Sequence, residues 1–216
     1  MITVYGEGRG FRVVWLLEEM GLAYQLRPVD LLADVQQDKE FIAVNPAGYI
    51  PALQDGEVVM VESVAIMEYL LVRYGALGLA PAAQDPDFAA YLQFLHLGEA
   101  GLALPAYIGV VSGGRVAAGE PNAGAEVGRE IFESRLGLVR RQLARHPYLA
   151  GAAFTAADIS VTYALEFASR TGVCALQEPE LAYVARTTGR AGYVRAMRVC
   201  SGTRAWAERV AAAQAR

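Results

Sequence analysis

A carboxylate, a hydroxyl and a proline stand close together in this chain and limit the chemistry open to it. Residues 45–63 read NPAGYIPALQDGEVVMVES. At the end of that stretch, Glu62 and Ser63 directly precede a segment of helical period. An acceptor, a hydroxyl and the unbonded amides of a helix start therefore gather where the helix dipole is positive. That combination suits a carboxylate ligand, and taken alone it also suits an ordinary helix start. Pro51 lies between a loop and a short apolar run, where a residue with no N–H belongs at a strand entrance, and Ile50–Pro51 is a candidate cis bond. Asp55–Gly56 tolerates the positive φ of a tight hairpin turn, and Val58, Val59, Met60 and Val61 read as the returning strand.

NPAGYIPAL followed by VES resembles the glutathione-binding signature of cytosolic glutathione S-transferases, and the resemblance covers essentially the whole chain. It implies glutathione as co-substrate, no metal, and a small apolar electrophile as the second substrate. It also implies that Ser63 binds the γ-glutamyl carboxylate through hydroxyl and amide, and that Glu62 holds the ammonium. The Ile50 backbone would pair with the cysteinyl unit, its groups turned outward by a cis Pro51. The first loop departs from the family pattern. Residues 6–10 offer no Ser, Thr or Cys to favour the thiolate, and Gly8 or Gly10 falls where similar bacterial sequences carry a serine. Tyr5, followed four residues later by Arg9 and Gly10, is similar to the tyrosine-type enzymes and is a catalytic candidate. Tyr5 reads equally well as a packed strand residue, in which case Arg9 or the amides of the first helix would lower the thiol pKa. Tyr49 stands where many members carry a lysine for the glycyl carboxylate, a role open here to Lys39 or Gln36.

Strand, loop and helix must position these groups. Ile2 to Tyr5 favours a strand, Phe11 to Met20 is a dense apolar helix with Arg12, Glu18 and Glu19 marking one wet face, and Gly21 is a C-cap. Tyr24 to Val29 alternates as a second strand, which makes a βαβ unit with a right-handed crossover. A weaker helix over 34–44 leads into the proline loop, and Val64, Met67, Leu70 and Leu71 give the next helix its stripe. The order βαβαββα is that of the α/β thioredoxin-like fold. A Gly-, Ala- and Pro-containing stretch between Gly75 and Pro86 reads as a linker, so the expected domains are 1–76, glutathione-binding, and 87–216, an all-α helical bundle. Helical stripes run over 88–104, 126–145, 155–171, 179–187 and 193–199, with a mobile loop over 111–125. Thr155 and Asp158, flanked by Phe154 and Ile159, have the spacing of a capping box with a hydrophobic staple, which is a folding feature.

His96 and Glu99 share a helical face, but two residues without a third ligand make no metal site. In related transferases the corresponding helix lines the dimer contact, and an acidic residue there, Glu99 in this chain, can reach the partner's glutathione. A homodimer packing the helices that begin near Phe88 and Glu126 is therefore expected. Tyr107, Val110 and Val111 are candidates for the electrophile pocket.

The 216 residues are 54% hydrophobic with a formal net charge of -4, enough for one large core or two modest ones and too acidic to hold nucleic acid. No membrane association is expected, since no run of about 18 uncharged apolar residues appears. Met1-Ile2-Thr3 leads directly into a strand without a basic region, and Cys174 and Cys200 form no CxxC, so a cytoplasmic, reducing setting is expected. Three functions follow in order. The first is a glutathione transferase that activates the thiol, the second a non-catalytic transferase-like binding or regulatory protein, and the third a glutaredoxin-type oxidoreductase. The last is disfavoured because the first helix has no cysteine.

Overall fold

The computed structural model describes residues 1–31, 34–113 and 122–202. Those residues fall into two compact units, one of Met1–Leu77 with the described residues after Gly189, the other of Gly78–Gly189.

In the first unit, β1 (Ile2–Tyr5), a 3-10 turn (Gly8–Gly10), α1 (Phe11–Met20) and β2 (Tyr24–Arg27) form the expected βαβ crossover, and Gly21 ends α1 at φ 66°. The strand stops two residues before Val29, because Pro28 has no N–H to offer the ladder. The expected helix over 34–44 divides into a 3-10 turn, Val35–Gln37, and α2, Lys39–Val44. Each has its own cap, since Asp34 accepts from the Gln36 amide and Asp38 from the Phe41 amide. There follow β3 (Ala52–Asp55), β4 (Val58–Val61) and α3 (Ser63–Tyr74). The sheet order is β2-β1-β3-β4, parallel between β1 and β2 and antiparallel elsewhere. Tyr5 lies opposite Ala52, and Ala52 opposite Val61. This register brings the exit of β1, the entrance of β3 and the exit of β4 to one end of the sheet, so residues 6–10, Ile50–Pro51 and Glu62–Ser63 gather there.

The wet face expected on α1 is not observed. Phe11 to Leu17 are all buried, Arg12 included at 0% exposure, and Glu18 and Glu19 are engaged by arginines from α9 (Ala191–Val199) and the residue preceding it. Tyr193 of α9 sets its ring edge-on to Phe11 and Trp15, at centroid distances of 5.4 and 5.0 Å. Arg190 meets Glu19 at 2.8 Å and Arg195 meets Glu18 at 2.7 Å. The sequence assigned this stretch to the domain 87–216, but it packs with the first unit because the outer face of α1 is apolar and needs a cover.

Helices are the only regular elements among the described residues of the second unit. It comprises α4 (Phe88–His96), a π-helical stretch (Leu97–Ala103), α5 (Leu104–Gly113), α6 (Ala123–Leu143), α7 (Ala156–Arg170) and α8 (Glu180–Thr188). Of the loop expected over 111–125, Val111 to Gly113 are helical and Ala123 to Ala125 already belong to α6, capped by the Asn122 side chain; residues 114–121 lie outside the described part. The 25 residues Phe88–Ser112, mean hydropathy 1.4, are long and apolar enough to cross a membrane by length and composition, and half of that stretch is buried within this unit. At its centre Gly98 crosses α7 so closely that a Cβ would lie 2.6 Å from the Ser160 backbone. At the start of α7, Thr155 and Asp158 form the expected capping box, with Phe154 and Ile159 buried beside it.

Candidate functional site

The loop before β3 is tied from within by a side chain whose role the sequence did not reveal. Asn45, 3% exposed, donates from Nδ2 to the Tyr49 carbonyl at 2.6 Å and accepts from the Ala47 amide at 3.1 Å. The loop delivers a cis Ile50–Pro51 peptide to the strand entrance. Its outer side lies beneath the Val35–Gln37 turn, where a Cβ on Gly48 would be 3.2 Å from Gln36 Nε2. Gly6, at φ 82°, passes so close to Ile50 that a Cβ there would lie 2.3 Å from Ile50 Cγ2. The first loop is therefore glycine at this point because the proline loop fills the space a side chain would need.

On the other side of Pro51 the chain turns from β4 into α3 through Glu62, at φ 70° and ψ 105°. A non-glycine residue in this region costs about 1–3 kcal/mol, and such strain concentrates at functional sites. The Glu62 carbonyl accepts the first helical bond, from the Ile66 amide at 2.9 Å, while its side chain turns away from the helix and accepts from the Tyr49 hydroxyl at 3.2 Å. The Glu62 side chain makes no capping bond to α3, so the first amides of the helix stand ready for an anion. Ser63 is 3% exposed, and Arg12, fully buried, donates from Nη1 to its hydroxyl oxygen at 3.1 Å. Hydroxyl, amides and guanidinium favour a carboxylate, and Glu62 at the rim favours an ammonium. The arrangement matches the zwitterionic end of an amino acid.

Ile50, Pro51, Glu62 and Ser63 are thus brought together. Tyr5 is not brought there. Its hydroxyl donates to Gln54 Oε1 at 3.1 Å, and Gln54 lies opposite Thr3, so the ring leans back along the sheet, away from residues 6–10. The ring is 3% exposed and packs on Phe41 with Ala52, and burial, the largest influence, pushes its hydroxyl pKa up, so the proton stays on. Tyr5 helps line a groove of about 670 Å³ with Thr3, Gln25, Arg27 and Glu40, whose charged members already pair as Arg27 with Asp38 and Glu40. Arg9 sits half-buried in the 3-10 turn at the entry to α1. Lys39 is exposed at the start of α2. Glu99 belongs to the π-helical stretch of the second unit, and Tyr107 and Val110 are 44% and 38% exposed on α5. Among the described residues no three His, Cys, Asp or Glu side chains come together as a metal site. Arg12 was missed because a single arginine at the edge of an apolar run reads as a wet position.

The chain matches two family models, the glutathione S-transferase N-terminal domain over residues 2–72 and the glutathione S-transferase C-terminal domain over residues 121–209. It is 35% identical over 155 residues to glutathione S-transferase 3 of Zea mays, a match covering 68% of each chain. It is 46% identical over 72 residues to a zeta-class glutathione S-transferase of Euphorbia esula, covering 33% of this chain and 32% of that one. Among solved structures it is similar to the theta-class glutathione S-transferase of Xanthomonas axonopodis pv. citri with glutathione bound. There the identity is 27% and the TM-score 0.76, over 90% of this chain and 96% of that one. With both family models matched in order and a relative 35% identical over 68% of each chain, the chain belongs to the glutathione S-transferase family of enzymes.

Proposed function

We propose that this chain binds glutathione at the start of α3 and activates its thiol for attack on a small apolar electrophile. One observation carries the reading. The uncapped start of α3 presents Ser63, backed by a buried guanidinium, beside Glu62 and the Ile50–Pro51 loop. A γ-glutamyl residue carries carboxylate and ammonium on one carbon, so Ser63 and the α3 amides take the first and Glu62 the second. The Ile50 backbone pairs with the cysteinyl unit. Gln36, beside Gly48, or Lys39 at the start of α2 takes the glycyl carboxylate. Arg9 and the amides of the Gly8–Gly10 turn lower the thiol pKa, as cations and helix starts do. The thiolate then forms a carbon–sulfur bond to the electrophile, whose leaving group departs with the electron pair, and the thiol proton passes to water. Tyr107 and Val110 supply apolar surface for the electrophile. The protein acts as a cytoplasmic homodimer in detoxification, with Glu99 directed to the glutathione of the partner subunit.

The test is retention on glutathione-agarose together with conjugation of an aryl halide such as 1-chloro-2,4-dinitrobenzene. Retention with turnover is expected, and a folded chain that binds no glutathione overturns the reading. A non-catalytic binding or regulatory role is the second reading. It is favoured by the absence of Ser, Thr and Cys from residues 6–10 and by the engagement of the Tyr5 hydroxyl with Gln54. Glutathione binding without conjugation of any of a panel of electrophiles selects it.

A further inference from the structure

The geometry points to Arg12 as a positioning residue that, through Ser63, aims a proton at the carboxylate of the γ-glutamyl residue; the inference rests on the glutathione reading above. A guanidinium has no lone pair to offer and can only donate, so in the Arg12 Nη1 to Ser63 Oγ contact of 3.1 Å the serine oxygen is the acceptor. With that side of the oxygen taken from beneath, the one O–H of Ser63 is left to donate, and the direction open to it is the uncapped end of α3, where the backbone amides also donate. Without Arg12, the hydroxyl of a residue in the first turn of a helix could turn either way and compete with the ligand by accepting. The buried guanidinium adds a fixed positive charge behind the same point, in a setting where charge is weakly screened.

The position itself argues for a role beyond packing. Arg12 is 0% exposed in a helix whose neighbours Phe11, Val13, Val14, Trp15, Leu16 and Leu17 are all buried. Burying a charge is costly, and an apolar side chain of similar volume commonly serves packing as well or better. Arg12 donates from Nη1 to the hydroxyl of the residue that opens α3, 51 positions away.

The experiment compares glutathione with 4-aminobutyryl-Cys-Gly, which keeps the amine and lacks the carboxylate. Binding of both is measured by calorimetry for the wild type, Arg12→Met, Ser63→Ala and the double variant, each with a thermal melt. The wild type is expected to prefer glutathione by about tenfold or more, the scale of one hydrogen bond to a charged group. Arg12→Met should lose most of that preference in the Ser63 background and change it little in the Ser63→Ala background. If Arg12→Met does not fold, Arg12→Gln, too short to reach Ser63 and uncharged, is used in the same way. A folded Arg12 variant that keeps the wild-type preference, or one whose loss is the same with and without Ser63, overturns the inference. If the wild type binds neither compound, the glutathione reading itself fails.

Discussion

Two helix starts in this molecule solve the same problem in opposite ways. At the start of α7, Thr155 has an extended backbone, φ −137° and ψ 175°, and the Asp158 carboxylate accepts from four donors at 2.8 to 3.2 Å. These are the amides of Thr155 and Leu149 and the hydroxyls of Thr155 and Tyr183. At the start of α3 the N-cap side chain makes no capping bond, Glu62 holds a strained φ of 70°, and its carboxylate turns to Tyr49 instead of the helix amides. The first start spends its polar groups on the fold, and the second leaves them for a ligand. A capped helix start and an anion site are alternative uses of the same orphan amides.

The largest expected effect lies at the closed start. Asp158→Ala leaves several buried donors without their acceptor and should destabilise the protein at pH 4 by about 3 kcal/mol or more, read as a lower midpoint in urea denaturation at that pH. An unchanged midpoint would remove the contrast.

The same carboxylate makes the contrast pH-dependent. Burial, outweighing the four hydrogen bonds, pushes the Asp158 pKa up to about 6 from an ordinary 3.8. A group whose pKa is raised in the folded state contributes stability that is fully present below its unfolded pKa and lost as the pH rises through the folded one. The stability difference between wild type and Asp158→Ala should therefore narrow by up to about 3 kcal/mol as the pH is raised from 4 to 7. Parallel stability curves over that range would contradict it.

Substituting glycine at the two N-caps sharpens the comparison directly. Glu62→Gly relieves the positive φ and should raise stability by about 1 kcal/mol while weakening glutathione binding. Thr155→Gly gains no relief, loses a packed side chain and should cost about 1 kcal/mol. Melts of both variants with a glutathione titration of the first decide it, and destabilisation by both would mean that Glu62 is held for the fold alone.

The smallest effect is expected at Tyr5. Tyr5→Phe keeps the ring against Phe41 and gives up the bond to Gln54, so stability should fall by about 0.5–1.5 kcal/mol and turnover should be unchanged. Arg9→Ala should be the variant that raises the thiol pKa of bound glutathione. A tenfold loss of turnover in Tyr5→Phe would restore the tyrosine as activator.

What neighbouring residues settle among themselves was legible along the chain. The capping box at Thr155–Asp158, the C-cap at Gly21, the proline at the entrance of β3 and the helix that opens at Glu62–Ser63 are each fixed by groups within about four positions, because turn and cap hydrogen bonds close over that range. The order of elements followed from their hydrophobic periods. The tertiary structure alone decided where Arg12 points, which way the Tyr5 hydroxyl leans and which unit the last described helix completes. Each depends on partners far off in the chain: Ser63 is 51 positions from Arg12, Gln54 is 49 from Tyr5, and Glu19 is 171 from Arg190. An arginine beside an apolar run carries no local mark of burial. Its environment is set by the sheet register that brings the start of α3 to the start of α1, and by the apolar outer face of α1, which α9 covers.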